Sequence, residues 1–184
     1  MDGFDDEGRP KRVPGMVPSK EGTLIMPTVN GGTNWYPPSY SPHTGWFYIS
    51  GWENSGEMQT KTNGFGRPLG ATPMAQVNLQ PNTKTENEGY GTVRAFDPKT
   101  GEQKWEYKMN DITWAGVLTT GSDLLFSGGR EGYFYALNAR NGNLLWHASL
   151  GGQVNSAPMS YAVSGRQYIA VNAGTALFVY ALRQ

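Results

Sequence analysis

The sequence has no cysteine, few charged residues and only two histidines, and each shortage excludes a class of function. Without cysteine the chain cannot form a disulfide, use a thiolate nucleophile or bind zinc through sulfur. His43 and His147 lie far apart, so we expect no histidine-rich metal site. Basic and acidic residues number 15 each, and the chain therefore lacks the basic excess that recognition of nucleic acid requires.

Long apolar runs are missing as well. No run approaches the roughly 20 residues of a membrane-spanning helix, so we expect no membrane span. The chain begins MDGFDDEGRPKRVPG, a polar and acidic stretch that does not have the pattern of a signal peptide. We expect residues 1–22 to form an extended lead-in to the folded part of the chain.

Glycine, proline and aromatic residues are what the sequence has in quantity. It contains 25 Gly and 12 Pro, and 12% of its residues are aromatic. Frequent breakers forbid long helices, and aromatic residues favour sheets. The composition therefore indicates an all-β fold of short strands joined by many turns.

An internal repeat indicates how these strands are arranged. AFDPKTGEQKW at 95–105 aligns without a gap with ALNARNGNLLW at 136–146. A period of about 40–50 residues is typical of propeller blades or of helical arrays, and period-2 alternation between glycine-rich turns favours the propeller. Each copy places a turn glycine four residues before a tryptophan, Trp105 or Trp146. We expect both tryptophans to pack near the next blade's turn glycine and to donate their N–H to its backbone.

The strand pattern predicts a partial β-propeller over residues 23–184, with close to three four-stranded blades. The first blade spans about 34–109 and includes a long loop at 54–88, the second spans 114–150, and the third spans 154–182 and lacks its fourth strand. The 11 predicted strands make fewer than three full blades, whereas closed propellers have about 4–8 blades. Because blades bury their faces against neighbours, we expect this arc to need the remaining blades of a longer protein, or a partner chain.

Three segments resemble one family of propeller enzymes. They are GGTNWYPPSYSPHTGWFYI at 31–49, TWAGVLTTGSDLLFSGGREGYFYALNARNGNLLW at 113–146 and QYIAVNAGTALFVYAL at 167–182. The repeat A-x-[D/N]-x-x-x-G-x-x-x-W also resembles the tryptophan-docking repeat of that family. The family is that of the dehydrogenases dependent on pyrroloquinoline quinone (PQQ), in its methanol and ethanol dehydrogenase branch, and the resemblance covers nearly the whole chain.

The resemblance implies an eight-bladed propeller with PQQ on its axis beside a calcium ion. Such an enzyme oxidises primary alcohols, passes the electrons to a cytochrome c or a quinone, and is exported to the periplasm. We therefore expect the C-terminal part of a PQQ- and calcium-dependent alcohol dehydrogenase that acts on a small alcohol.

The resemblance also places two residues near the cofactor. Asn34, in GGTNW, matches an asparagine that hydrogen-bonds the polar edge of the quinone, and Trp114, in TWAGV, matches a tryptophan that borders it. Trp35 is a further candidate because it adjoins Asn34. Amide and indole donors suit PQQ, which carries three carboxylates and an orthoquinone, because in a dry site they can orient its polar groups.

Other parts of such an enzyme match nothing in this chain. The family's calcium ligands, its catalytic aspartate, the tryptophan beneath PQQ and its vicinal disulfide lie upstream of the part matched here. We therefore assign no catalytic residue and no metal ligand in this sequence. Asp97 is expected in a turn and Asp111 in a blade connection. The basic residues Lys99, Lys104, Arg130 and Arg140 are expected to be solvated charges of turns and edges.

A second interpretation makes the chain a binding module. PQQ-type repeats also build non-catalytic propellers that act as scaffolds for other proteins, as in outer-membrane assembly lipoproteins. Asn34 and Trp114 discriminate between the two, since a scaffold does not need GGTNW at a blade entrance. A propeller of the WD type is disfavoured because no Trp-Asp dipeptide ends a strand.

Overall fold

The computed structural model describes residues 3–25, 27, 30–54, 56–59 and 89–182. Within these residues the regular structure is antiparallel β-sheet, as the composition predicts. In chain order the strands are β1 (Thr23–Ile25), β2 (Ser39–Ser41), β3 (Trp46–Glu53), β4 (Glu57–Gln59), β5 (Tyr90–Phe96), β6 (Gln103–Lys108), β7 (Leu118–Thr119), β8 (Leu124–Gly128), β9 (Tyr133–Asn138), β10 (Leu144–Ser149), β11 (Met159–Val163), β12 (Arg166–Ala173) and β13 (Ala176–Tyr180).

Three sheets follow one another along the chain and form the three blades. The first blade holds β2, β3, β5 and β6, the second holds β7 to β10, and the third holds β11, β12 and β13. The first strands of the first two blades lie close together. The Val117 N–H donates to the Pro37 carbonyl at 2.8 Å, and the hydroxyls of Ser39 and Thr119 are 2.6 Å apart. The predicted arc of about three blades is confirmed, and among the described residues the last blade has three strands.

A fourth, small sheet departs from the prediction. Strand β4 lies inside 54–88, which was expected to be a loop, and pairs with β1 so that Thr23 faces Gln59 and Ile25 faces Glu57. Both strands have three residues. Alternation over so few residues cannot be told from chance, which is why the sequence pattern missed them. The predicted loop from 60 to 88 lies outside the described residues.

Two apolar cores lie between neighbouring blades, and the second blade contributes to both. Leu125 and Leu137 belong to the core shared with the first blade, whereas Phe134 and Ala136 belong to the core shared with the third. Successive side chains of a strand point to opposite faces, so one sheet can serve two cores. The inner strand pair β8 and β9 is consequently buried on both sides.

The repeat tryptophan of the first blade docks on the second blade. Trp105 on β6 is buried, and its Nε1 donates to the Ala139 carbonyl at 3.0 Å. The ring lies so close to Gly142 that a Cβ there would be 2.6 Å from Trp105 Cε3. The Tyr48 hydroxyl donates to the same Ala139 carbonyl at 3.0 Å. The predicted packing of Trp105 is therefore confirmed.

The equivalent tryptophan of the second blade is placed differently. Trp146 is 41% exposed, and its ring meets Tyr180 edge-on with 5.1 Å between centroids. Its packing near a turn glycine of the next blade stays a prediction, because no glycine follows β13 among the described residues. Because Tyr-Ala-Leu occurs at 135–137 and again at 180–182, the residue equivalent to Ala139 is Gln184, which lies outside them.

We predict that two equivalent turn glycines differ in their tolerance of alanine. Gly101 and Gly142 share a φ of 74°. A Cβ at Gly101 would meet nothing within 4 Å, so Gly101→Ala should cost only the left-handed backbone strain, about 1–2 kcal/mol of unfolding free energy. Gly142→Ala should cost roughly 1–3 kcal/mol more, because the new methyl group collides with Trp105.

The measurement is urea unfolding of the two variants, followed by circular dichroism. Equal losses at both positions would show that the Trp105 ring is not held against the turn.

Candidate functional site

The segment that carries Asn34 and Trp35 lies against β3. The Trp52 N–H donates to the Gly32 carbonyl at 2.7 Å, and the Thr33 hydroxyl donates to the Ser50 carbonyl at 2.8 Å. These bonds hold the GGTNW turn next to the end of β3, just before the chain enters β2. Asn34 and Trp35 thus stand at the entrance to the first strand of the first blade.

The carboxamide of Asn34 organises its own turn. Its Nδ2 donates to the Asn30 carbonyl at 2.9 Å, and its Oδ1 accepts the Trp35 N–H at 2.8 Å. Asn34 and Trp35 are both exposed, and Trp35 is 71% exposed. An amide nitrogen has two N–H donors, and the bond to Asn30 uses one of them.

Trp114 lies in the connector between the first two blades, which we define as residues 109–117. Thr113 anchors this connector: its hydroxyl donates to the Gly128 carbonyl at 2.5 Å and accepts the Ala115 N–H at 3.0 Å. The indole of Trp52 donates to the Thr113 carbonyl. Both neighbours of Trp114 in the chain are therefore bonded, and its backbone position is defined.

One aromatic cluster joins the two entrances. Tyr36, Trp52 and Ile112 are buried together, and the partly buried Trp114 packs against them. The ring of Trp35 lies 4.8 Å from that of Tyr36, and the rings of Tyr36 and Trp52 are 5.8 Å apart. The structure therefore brings Trp35 and Trp114 to the same cluster, although 79 residues of sequence separate them.

Burial changes the acidity of two side chains here. It raises the pKa of Tyr36 to about 12, because the phenolate form would lose its hydration. It also raises the pKa of Glu131 above its ordinary value, an effect opposed by the Tyr135 hydroxyl, which donates to Glu131 Oε1 at 2.5 Å. The Tyr36 phenol therefore stays protonated to a higher pH than a tyrosine with the ordinary pKa.

Comparison with known proteins supplies the family. Residues 89–182 match the sequence profile of a family described as outer membrane protein assembly factor BamB. A quinoprotein alcohol dehydrogenase of Pseudomonas putida is 33% identical over 94% of this chain and 29% of its own length. A quinoprotein ethanol dehydrogenase of the same species is 35% identical over 92% of this chain and 27% of its own length. The chain belongs to the quinoprotein, or PQQ-dependent, alcohol dehydrogenase family.

A solved structure agrees with this assignment. The quinohemoprotein alcohol dehydrogenase from Comamonas testosteroni is 25% identical and superimposes with a TM-score of 0.72, over 94% of this chain and 27% of that one. The predicted family and propeller fold are both confirmed. The chain spans less than a third of the length of these quinoprotein dehydrogenases.

Three residues around Trp114 could not be predicted from the sequence. Tyr36 follows Trp35 in the chain, and Trp52 lies in β3. Neither carries a sequence signal of its own, and only burial in one cluster marks them as part of the site. Arg130 was expected to be a solvated turn charge, but its side chain is 11% exposed and paired with Asp111. The turn role of Asp97 is confirmed, since its carboxylate accepts the Lys99 N–H at 2.9 Å.

Two further expectations concern what the chain binds and crosses. In the part of the chain that the structure describes, no group of three or more His, Asp or Glu side chains is close enough to hold a metal ion. Among the same residues no helix has the length and apolar character needed to cross a membrane.

We predict that Tyr36 contributes to the loss of stability of the protein at alkaline pH. Its pKa is raised from 10.0 to about 12, so its stabilising effect is complete below pH 10 and is lost as the pH rises towards 12. Tyr36→Phe cannot ionise, and it should make the fall in unfolding free energy between pH 10 and 12 less steep.

Urea unfolding at a series of pH values measures this slope. The control is Tyr40→Phe, which removes the same hydroxyl from a tyrosine that is 55% exposed. The same slope for wild type and Tyr36→Phe would contradict the burial argument.

Proposed function

We propose that this chain is the C-terminal part of a PQQ- and calcium-dependent alcohol dehydrogenase and supplies part of the wall around PQQ. The observation that carries the proposal is the aromatic cluster, which joins the Asn34–Trp35 turn to Trp114 at the entrances of neighbouring blades. Flat apolar side chains backed by a buried core suit a planar cofactor, since they exclude water from its faces.

The donors present fit the polar groups of PQQ. Asn34 offers an exposed carboxamide with a further N–H, and Trp114 offers a partly buried indole. PQQ, when bound, supplies the group that accepts the two electrons of an alcohol. The residues of this chain would orient the cofactor and keep water away from it, and we assign them no proton transfer.

The rest of the enzyme belongs to residues outside this chain in the proposal. They would hold the calcium ion and provide the catalytic aspartate. A small primary alcohol is the proposed substrate, a cytochrome c or a quinone the proposed electron acceptor, and the periplasm the proposed location. The support is that quinoprotein dehydrogenases match more than nine-tenths of this chain with less than a third of their own length.

A scaffold that binds other proteins is the second candidate function. The family profile that matches residues 89–182 carries the description of an assembly factor, which favours it. That match excludes Asn34 and Trp35, whereas the relatives that extend over them are dehydrogenases. The dehydrogenase is therefore the better supported of the two.

A chimera tests whether Asn34 and Trp114 contact PQQ. Residues 3–182 would replace the matching segment of the Pseudomonas putida quinoprotein ethanol dehydrogenase, which is 35% identical. We expect the chimera to bind PQQ and to reduce a dye with ethanol. Asn34→Ala or Trp114→Ala should weaken PQQ binding about tenfold, as expected for the loss of roughly 1.4 kcal/mol of contact.

Equilibrium dialysis against PQQ gives the affinities. Asn141→Ala is the matched control, because Asn141 is also an exposed turn asparagine whose Oδ1 accepts a backbone N–H, from Asn143 at 3.0 Å. A folded chimera in which Asn34→Ala and Trp114→Ala bind PQQ as tightly as Asn141→Ala would rule out the proposed contacts.

The 184-residue chain alone should be inactive. With ethanol, PQQ and calcium added we expect no reduction of a dye, because the proposed calcium site and catalytic aspartate lie outside it. Dye reduction above a no-protein control would show that the chain carries its own catalytic groups.

A further inference from the structure

We propose that Arg130 is a positioning residue that holds the indole of Trp114 in one orientation at the candidate cofactor wall. The inference rests on the proposed function for the purpose of that wall. The contact itself is a property of the structure, and the two can be tested separately.

Arg130 contacts three parts of the connector at once. It lies in the turn between β8 and β9, and its backbone N–H donates to the Ile112 carbonyl at 3.2 Å. Its Nε and Nη2 donate to the two carboxylate oxygens of Asp111, each at 2.9 Å. Its Cζ lies 5.9 Å from the centre of the Trp114 ring. One residue of the second blade therefore grips the connector on both sides of Thr113.

The ion pair fixes the plane of the guanidinium group. Two parallel N–H···O bonds to one carboxylate leave the fork little freedom to rotate. The side chains are 11% exposed for Arg130 and 20% exposed for Asp111, so water competes weakly for these bonds. The cation is thus held near the ring of Trp114, where its attraction to the π-electrons favours one orientation of the indole.

Asp111 is itself held in place by the backbone. Its Oδ1 accepts the Ile112 N–H at 2.7 Å, and its carbonyl accepts the Gly91 N–H at 2.9 Å. A Cβ at Gly91 would lie 2.7 Å from the Asp111 carbonyl oxygen, which shows how closely the first blade approaches the connector. With the backbone on either side of Trp114 bonded, the freedom left to Trp114 is rotation of its side chain, and Arg130 restricts that rotation.

An arginine near a tricarboxylate cofactor could also bind it directly. Here the charge of Arg130 is balanced by Asp111, which takes two of its donors in a mostly buried pair. Moving the guanidinium to an anion would leave the Asp111 carboxylate unpaired in a poorly hydrated place, at a high energetic cost. In this proposal Arg130 therefore affects the cofactor by orienting Trp114 and does not itself bind PQQ.

The indole N–H signals of the full chain in a two-dimensional NMR spectrum test the contact. The chain has six tryptophans, and the signal lost in Trp114→Phe identifies the one that matters. Arg130→Lys keeps the charge but loses the fork, and Arg130→Gln loses both. We expect each to shift and broaden the Trp114 signal and to leave that of Trp105 unchanged.

The matched control is Arg140→Gln. Arg140 also forms a pair with an aspartate, Asp123 at 2.7 Å, and should leave the Trp114 signal in place. If Arg130→Gln fails to fold, the double variant Asp111→Asn/Arg130→Gln removes both charges of the pair and leaves no buried charge alone. An unmoved Trp114 signal in Arg130→Lys and in the folded variant that lacks the arginine would overturn the inference.

A titration with PQQ separates the inference from the proposed function. In the chimera with the Pseudomonas putida quinoprotein ethanol dehydrogenase, we expect Arg130→Gln to need roughly two- to fivefold more PQQ than the unsubstituted chimera for half-saturation. Equal affinities would overturn the role of Arg130 at the cofactor wall. A folded chimera that does not bind PQQ would count against the proposed function, while the contact would still be judged by the spectra of the chain without PQQ.

Discussion

The indole of Trp105 holds the first blade against the second, and the site depends on that contact. Its N–H and the Tyr48 hydroxyl both donate to the Ala139 carbonyl, and its ring covers Gly142 where no side chain could fit. A large apolar surface with a satisfied polar atom is well suited to the space between two sheets. This contact holds the two blades at the spacing that the connector, residues 109–117, has to bridge.

The position of the connector determines where the candidate cofactor wall lies. The connector is bonded to the first blade through Trp52 and Gly91 and to the second through Gly128. Trp114 is carried between these bonds and meets a cluster built from the other entrance. The wall therefore belongs to the junction of two blades, and no single blade could form it.

Much of the fold could be predicted from local signals. The glycine and tryptophan of the repeat, the turn role of Asp97 and the arc of about three blades were all visible in the sequence. The β1–β4 pair was not, since three residues carry no readable alternation. For the site, the family resemblance named Asn34, Trp35 and Trp114, whose contact with PQQ stays a prediction. It named neither Tyr36 nor Trp52, because their burial in one cluster depends on contacts between distant parts of the chain.

The sequence by itself determined the kind of structure: an all-β arc of repeated blades, because strand period and turn glycines act over a few residues. Only the tertiary structure decided which members of the repeat do what. Trp105 donates to the Ala139 carbonyl, 34 residues further along the chain, and shares that acceptor with Tyr48. Arg130 forms an ion pair with Asp111 next to the ring of Trp114, although its place in a turn predicts a solvated charge. These outcomes depend on groups that folding brings from elsewhere in the chain, and burial and charge pairing are decided only when they meet.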